Sequence, residues 1–204
     1  SISELKDLHR LDLIQNEFQA FPPVLEELKN LVSLGLDQNH IEGLPPGIRN
    51  LTKLRFLSIR ANRLHEIPSE IWSLKQLRHL DLTANQITTL PPDLRHLVDL
   101  RTLRIGNNQL TNIPPEIGGL TDLTRLLLNG NQITSIPEEI GNLSSLRVLD
   151  LANNLLAELP TEIGNLRSIR RLDLRNNLLR RLPTSVDQLE GFRTEFVSGN
   201  PLDL

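Results

Sequence analysis

The stretch from Leu54 to Leu74 reads LRFLSIRANRLHEIPSEIWSL. Its aliphatic residues are Leu54, Leu57, Ile59, Leu64, Ile67, Ile71 and Leu74. The alternation of Leu57, Ser58 and Ile59 has the period of two that is typical of a β-strand. The pattern therefore predicts a short strand here, with Leu57 and Ile59 facing inward and the residues between them facing outward.

The second half of the stretch predicts a different conformation. Pro68 lacks a backbone N–H and has a restricted φ, so it ends the strand pattern and starts a returning segment. Ile71 and Leu74 lie three residues apart, which suits one turn of 3₁₀ or α structure with both side chains on one face.

The whole pattern recurs along the chain with a fixed interval of twenty-three residues. The interval is marked most clearly by asparagine, at Asn16, Asn39, Asn62, Asn85, Asn108, Asn131, Asn154, Asn177 and Asn200. A period of this length indicates a solenoid, in which each repeat buries its apolar side by stacking on its neighbours. Strands of successive turns then form a parallel sheet, and tighter helical turns on the opposite side make the stack curve.

The repeated asparagine has apolar neighbours on both sides and is predicted to be buried. Its amide carries an acceptor oxygen and a two-proton donor, so a stacked column of asparagines can bond to the loop backbone of adjacent turns. Neither aspartate nor leucine offers both functions. We therefore interpret these asparagines as structural.

The repeat L-x-x-L-x-L-x-x-N-x-L, followed by L-P-x-x-I-x-x-L, resembles the leucine-rich repeat family over residues 5 to 190. Its 23-residue form is similar to the Ras-group intracellular proteins and to related bacterial repeats. The resemblance implies an α/β fold, a right-handed solenoid with a parallel β-sheet on its concave face and short 3₁₀ or α turns on its convex face. It also implies a single domain, 1–204, of eight full repeats with partial turns at both ends, and ligand binding on the concave face.

Composition excludes several classes of function. The formal net charge of −3 argues against bulk attraction to nucleic acid or to an anionic membrane. There is no cysteine, hence no disulfide and no thiolate chemistry, and no apolar run of about 18 residues that would span a bilayer. We expect a monomeric, cytoplasmic protein that binds neither nucleic acid nor membranes.

The sequence carries no recognisable catalytic or metal-binding motif. The five histidines occupy different positions of the repeat, so they form no ligand set: His9, His40, His65, His79 and His96. His79 and Asp81 could orient an imidazole, but no serine in a strained nucleophile turn accompanies them. The expectation is therefore no enzymatic activity, no cofactor and no metal.

The outward strand positions form the one continuous surface that the pattern predicts, and we expect a protein partner to bind there. Phe56 and His79 share a column in neighbouring turns, and aromatic residues and arginines are enriched in interface hot spots. A single exposed phenylalanine is nonetheless ordinary on a protein surface. The predicted partner-binding residues are Phe56, Ser58, Arg60, His79, Asp81, Thr83, Thr102, Arg104, Arg125, Leu127, Val148 and Asp150.

Two charged rows run along other faces of the predicted stack. The first consists of Arg55, Arg78, Arg101, Arg147, Arg170 and Arg193, and is interrupted by Thr124. It could steer an acidic partner, but we favour a solvated edge neutralised by Asp99 and Asp122. The second consists of Glu70, Asp93, Glu116, Glu139 and Glu162, each two residues after the proline, where a helical turn favours negative charge.

The last repeat departs from the pattern, because Glu195 occupies a position that is leucine in the full repeats. Burying an unpaired carboxylate is costly, so the stack is predicted to end there.

Three interpretations of function remain open. They are a non-catalytic interaction module, an engineered or structural scaffold without a native ligand, and the recognition domain of a larger enzyme such as a ROCO-type kinase or a bacterial ubiquitin ligase. The absence of Cys, Met and Tyr favours the scaffold, whereas the variety of surface residues between repeats disfavours a simple consensus design.

Overall fold

The chain forms one open sheet of eight parallel strands in sequential order. The computed structural model describes residues 4–190 and 192–203, without the side chains of residues 194 and 195. The strands are β1 (Arg10–Asp12), β2 (Ser33–Gly35), β3 (Phe56–Ser58), β4 (His79–Asp81), β5 (Thr102–Arg104), β6 (Arg125–Leu127), β7 (Val148–Asp150) and β8 (Arg171–Asp173). Each pairs with the next in a register of one repeat, so that Phe56 lies beside His79.

Each strand is followed by a return segment that contains a 3₁₀ helix. These helices are η1 (Pro23–Glu27), η2 (Pro46–Asn50), η3 (Ser69–Ser73), η4 (Pro92–His96), η5 (Pro115–Gly119), η6 (Glu138–Asn142), η7 (Thr161–Asn165), η8 (Thr184–Gln188) and η9 (Thr194–Val197). The result is the expected right-handed solenoid, with the sheet on the concave face and the 3₁₀ helices on the convex face. Parallel strands joined by such crossovers adopt this hand almost without exception.

Strand β3 begins one residue before the predicted segment, at Phe56, and ends at Ser58. The ladder of backbone hydrogen bonds continues beyond it, because Ile59 N–H donates to Asp81 O and Ala61 N–H donates to Thr83 O, each over 2.9 Å. Leu57 and Ile59 face inward, as predicted, and have no exposed surface.

The predicted 3₁₀ turn after the proline is confirmed. Pro68 is extended, with φ −65° and ψ 146°, and η3 starts at the next residue. Ile71 is buried, and its carbonyl accepts from Leu74 N–H over 3.0 Å, which closes the turn. The acidic row lies in the first turns of η3 to η7, where the orientation of the backbone favours negative charge.

The asparagine column is buried and bonds to the backbone of two turns. Asn108 Nδ2 donates to Leu82 O of the preceding turn over 3.0 Å and to Ile105 O of its own turn over 3.1 Å. Its Oδ1 accepts from Ile87 N–H over 3.0 Å. The two end members differ from the prediction: Asn200 is half buried, and Asn16 is exposed, with its Nδ2 donating to Leu13 O and Ile14 O of its own turn.

The residue immediately before each repeated asparagine has a left-handed backbone conformation. The sequence pattern did not reveal this feature. Ala61 and Ala84 adopt φ of 54° and 58°, and Gly130 takes the same place with φ 68°. This conformation turns the chain off the sheet and points the following amide into the core. Because alanine occupies the position in two turns, no glycine signature marks it.

The ninth turn contains η9 in place of a strand. The edge of β8 is still covered by it, since Leu174 N–H donates to Phe196 O over 2.8 Å and Asn176 N–H donates to Ser198 O over 2.9 Å. The side chain of Glu195, on which the predicted end of the stack rested, lies outside the described residues.

Candidate functional site

The concave face presents the outward side chains of eight stacked strands. Strand pairing aligns them in columns, so Phe56, His79 and Thr102 are direct neighbours along one column. Ser58, Asp81 and Arg104 are neighbours along the next. Adjacent strands lie about 4.8 Å apart, so residues far apart in sequence form one contiguous surface.

An aromatic pair lies near the centre of this face. The ring of Phe56 is 5.9 Å from the ring of His79, with an angle of 43° between the planes. Phe56 is 42% exposed. Burial lowers the pKa of His79, and the nearby positive charges of Arg104, Arg101 and Arg78 lower it further. A neutral imidazole at physiological pH therefore offers a flat, weakly polar surface beside the phenyl ring.

An ion pair borders the aromatic pair. Arg104 Nη1 lies 3.4 Å from Asp81 Oδ2, and the carboxylate is largely shielded while the guanidinium is half exposed. Asp81 Oδ1 accepts from Thr83 N–H over 3.0 Å. Asp81 is thus held by Arg104 and by its own backbone, while the guanidinium of Arg104 remains half exposed to solvent.

Two adjoining depressions share this ion pair. The smaller encloses about 50 Å³ and is lined by Phe56, His79, Leu80, Asp81, Thr102 and Arg104. The larger encloses about 300 Å³ and is lined by Arg60, Asp81, Thr83, Arg104, Arg125, Leu127 and Asn129. Most of the predicted site residues are therefore brought together around Asp81 and Arg104.

A second polar cluster lies at the C-terminal end of the same face. The side chain of Asp173 has no accessible surface, and Arg175 and Arg171 donate to its Oδ2 over 2.7 and 2.9 Å. Both guanidinium groups lie over the ring of Phe196, at 5.3 and 5.9 Å from its centre. Burial alone would raise the pKa of Asp173, but the hydrogen bonds from the two arginines outweigh it and lower the pKa.

Sequence comparison identifies the repeats directly. A family model described as a leucine-rich repeat region matches residues 62–154, and a second, described as a leucine-rich repeat, matches residues 145–166. The chain is a leucine-rich-repeat protein. No curated protein sequence matches it significantly.

Solved structures of leucine-rich-repeat proteins superpose on nearly the whole chain. A leucine-rich-repeat protein of Leptospira interrogans is 35% identical over 99% of this chain, with a TM-score of 0.81. The ectodomain of the Arabidopsis thaliana receptor kinase GASSHO1/SCHENGEN3 is 32% identical over 98%, with a TM-score of 0.88. A plant peptide hormone receptor is 28% identical over 94%, with a TM-score of 0.75. This chain spans 57%, 25% and 36% of their respective lengths.

Some predicted site residues of this leucine-rich-repeat protein are less accessible than expected. Ser58 is 5% exposed, and its Oγ donates to Asp37 Oδ1 over 2.5 Å. Thr102 is 7% exposed and forms only the floor of the smaller depression. Both point out of the core but are short, so the longer side chains of neighbouring strands cover them.

Val148 and Asp150 lie outside the two depressions and are half buried. Burial and the neighbouring charge of Asp173 raise the pKa of Asp150, and a hydrogen bond from Ala152 N–H opposes this shift only in part. Their position therefore associates them with the C-terminal polar cluster more than with the aromatic pair.

The predicted binding residues did not include Leu80, Asn129 or the C-terminal cluster, although Asn129, Arg171, Asp173 and Arg175 occupy outward positions of the repeat. Leu80 takes the inward place that Leu57 has in its own repeat, and only the geometry shows that it lines the smaller depression. The cluster has a visible sequence signal, because Arg171 and Arg175 lie two residues before and after Asp173 on the same side of the chain.

Other kinds of site are not evident. Within residues 4–190 and 192–203, no group of three or more His, Asp or Glu side chains is placed to hold a metal ion. Over the same residues, every helix is too short or too polar to cross a membrane. Asp81 accepts from Arg104 and from Thr83, so it is committed to structure rather than to orienting His79.

Proposed function

We propose that this protein is a non-catalytic interaction module that holds a protein partner on its concave sheet. The observation that carries the proposal is the exposed ring of Phe56, packed on His79 and bordered by the half-exposed guanidinium of Arg104. Aromatic residues and arginines that surround a shallow pocket are the usual composition of an interface hot spot.

The charges beside the pocket favour a partner segment that is both apolar and acidic. The larger depression is lined by three guanidinium groups, those of Arg60, Arg104 and Arg125, and by one carboxylate, that of Asp81. In the described part of the chain, the side chains of Arg60 and Arg125 form no ion pair. A carboxylate of the partner would pair with the arginines that have no ion pair, while an apolar side chain of the partner contacts Phe56.

The rigidity of the sheet supports binding of this kind. The backbone on both sides of Phe56 is held by ladder bonds, with Phe56 N–H donating to Val32 O over 3.1 Å and Ile59 N–H donating to Asp81 O over 2.9 Å. A preformed surface loses little conformational entropy on association, so modest contacts over several turns can add up to useful affinity.

Two structural relatives are complexes with ligands. The GASSHO1/SCHENGEN3 ectodomain is in complex with Casparian strip integrity factor 2, and the peptide hormone receptor is in complex with RGF2. They support a binding role for the fold. The concave location and the protein nature of the partner are proposals for this chain.

The test compares two triple variants in an affinity pull-down, with recovered proteins identified and their binding then measured with purified components. The first variant, Phe56→Ala with Arg104→Ala and Leu127→Ala, removes the contacts around both depressions. The matched control, Leu155→Ala with Leu178→Ala and Arg63→Ala, removes two exposed leucines and one exposed arginine outside the sheet.

We expect the concave variant to lose more than about 90% of specific binding, since hot-spot residues typically contribute about 2 kcal/mol or more each. The control should bind like the wild type. Recovery of the same proteins by the wild type and the concave variant would contradict the proposal.

A further inference from the structure

The arginine row of the sequence, Arg55, Arg78, Arg101, Arg147, Arg170 and Arg193, lies along one lateral edge of the sheet. The row residues that precede β3 to β8 are joined by direct backbone hydrogen bonds. Arg78 N–H donates to Arg55 O over 2.9 Å, and Arg101 N–H donates to Arg78 O over the same distance. Thr124 continues the ladder between Arg101 and Arg147. The side chains therefore start from a rigid line of equally spaced points.

The row arginines form no direct ion pairs. Across residues 4–190 and 192–203, no ion pair includes a row arginine. The sequence had suggested that Asp99 and Asp122 neutralise this edge, and the described structure contains no direct contact of that kind. The guanidinium groups of the row are therefore available to a partner.

Further cations lie next to the row at both ends. Lys53 and Lys75 are exposed close to Arg55 and Arg78 in the chain, and Arg167 is exposed close to Arg170. Between the two ends, a depression of about 330 Å³ is lined by Arg101, Asp122, Thr124, Ser144, Ser145, Arg147 and Ser168. Asp122 is the only carboxylate of this lining, and Asp99 occupies the same repeat position one turn earlier, so basic side chains outnumber acidic ones along this edge.

The spacing of the row selects the geometry of a complementary ligand. Adjacent strands are about 4.8 Å apart, and an α-helix repeats every 5.4 Å or so, which gives a mismatch of about 1.2 Å over three successive arginines. Flexible arginine side chains absorb such a difference. An extended peptide repeats one face every ~6.8 Å, and a B-DNA strand places a phosphate every ~3.4 Å, so neither keeps register.

We propose that the arginine row binds an acidic α-helix of a partner protein, one that carries Glu or Asp at one-turn intervals along a single face. The row from Arg55 to Arg170 spans about 24 Å, the length of a helix of about 16 residues. This surface is distinct from the concave site, because its side chains leave the chain one residue before each strand.

The test is an NMR titration of the isotope-labelled protein with two synthetic helical peptides of about 20 residues. One peptide carries glutamates in a single stripe, at positions i, i+4, i+7 and i+11. The other has the same composition, with its glutamates distributed around the helix. Titrations at low and high ionic strength separate exposed ion pairing from other contacts.

Two variants with the same loss of charge are compared. The row variant is Arg55→Gln with Arg78→Gln and Arg101→Gln, and the control is Arg49→Gln with Arg63→Gln and Arg95→Gln, three exposed arginines outside the row. We expect the striped peptide to bind the row variant about fivefold more weakly than the wild type, as the loss of three exposed ion pairs implies, and the control variant to be unaffected.

Three outcomes would overturn the proposal. The first is an equal loss in both variants, which would mean that only net charge matters. The second is equal binding of the two peptides. The third is tighter binding of oligothymidylate than of the striped peptide, with loss in the row variant, which would identify a general polyanion surface. A separate pair of changes, Arg147→Gln with Arg170→Gln, repeats the test if the first row variant fails to fold.

Discussion

At the scale of single residues, the repeated asparagine is the position where the fold depends most on one side chain. Asn108 pairs backbone groups of two turns at once, and each of those groups is shielded from water. The column therefore joins neighbouring repeats through side chains as well as through the sheet.

We predict that Asn108→Ala lowers the free energy of unfolding by roughly 1 to 3 kcal/mol, which is the cost of a buried group left without its partner. That group is Ile87 N–H, whereas Leu82 O still accepts from Asn85 Nδ2. Urea denaturation measures the change. Asn16→Ala is the control, since Asn16 is exposed and bonds only within its own turn. Equal effects would mean that the column is not structural.

Two neighbouring aspartates on the concave face carry opposite pKa shifts, although Asp150 and Asp173 are register partners. The pKa of Asp173 lies below its ordinary value of 3.8, so its charged form stabilises the fold, and that stability is lost as the pH falls through the folded pKa. The pKa of Asp150 is raised, so its charged form opposes folding at neutral pH and the penalty disappears on acidification.

The two amide variants should therefore move stability in opposite directions. Asp173→Asn is expected to destabilise the protein at neutral pH and to weaken the loss of stability below about pH 4. Asp150→Asn is expected to stabilise it at neutral pH, with a gain that vanishes near pH 4. Thermal denaturation across this pH range measures both. Shifts of the same sign would contradict the assignment.

At the scale of elements, the convex side depends on close packing between successive 3₁₀ helices. A Cβ on Gly141 of η6 would lie 2.6 Å from the carbonyl oxygen of Glu162 in η7. The same close approach occurs at Gly118 and Gly164. In η5 to η7 the helices approach their neighbours this closely because that position carries no side chain, whereas the equivalent position of η1 to η4 is occupied by Glu26, Arg49, Trp72 and Arg95.

Gly141→Ala is predicted to destabilise the protein by about 1–3 kcal/mol, because the added methyl group meets backbone that cannot move without disturbing the next turn. Gly43→Ala is the matched change, since no atom lies within 4 Å of its added Cβ. Its effect should stay within about 0.5 kcal/mol. Denaturation midpoints compare the two, and a similar cost at both glycines would refute the packing argument.

At the scale of the whole molecule, each turn packs only on its neighbours. The central strands have a turn on both sides and their inward residues are fully buried, whereas Leu11 of β1 is half buried. At the other end, the last turn is joined to the segment that follows β8 by two backbone hydrogen bonds, from Leu174 N–H to Phe196 O and from Asn176 N–H to Ser198 O. Stability is therefore expected to vary along the stack, as in other repeat proteins.

Hydrogen–deuterium exchange should show this gradient. Amides of β4 to β6 are expected to exchange at least about tenfold more slowly than those of β1, because local opening is easiest where a turn has one neighbour. Strand β8 serves as the internal control, since its covering by η9 should keep it slower than β1. Uniform protection of all strands would indicate a single cooperative unit instead.

Much of the fold was predictable, because in a repeat protein the residues that favour a local conformation are also the residues that pack on the adjacent turns. Leu57, Ile59, Pro68 and Ile71 occupy the predicted places, since each of them packs on its own copies in adjacent turns. The left-handed residue at Ala84 was not predictable, because alanine carries no signal for that conformation. The burial predicted for Asn16 was wrong, since this side chain is exposed and its Nδ2 donates to Leu13 O and Ile14 O of its own turn.

The candidate site was only partly predictable. The period of two predicted which side chains face outward, so the neighbouring positions of Phe56 and His79 in one column were expected. Accessibility did not follow from it, because Ser58 and Thr102 are covered by longer side chains of other turns. The prediction that Asp99 and Asp122 neutralise the arginine row remains untested: Asp122 lies in the same depression as Arg101 and Arg147, but no direct ion pair forms between them in the described residues.

The sequence by itself determined the architecture of this protein: the number of turns, the inward residues, the buried asparagines and the face on which each outward residue lies. It could do so because one spacing rule is repeated and every copy must match its neighbours. The tertiary structure alone decided which surface groups touch, as in the Asp81–Arg104 pair and the Asp173 cluster. Those contacts depend on the lengths of the side chains, which come from different turns in the first case and from one turn in the second, and no repeat rule constrains them.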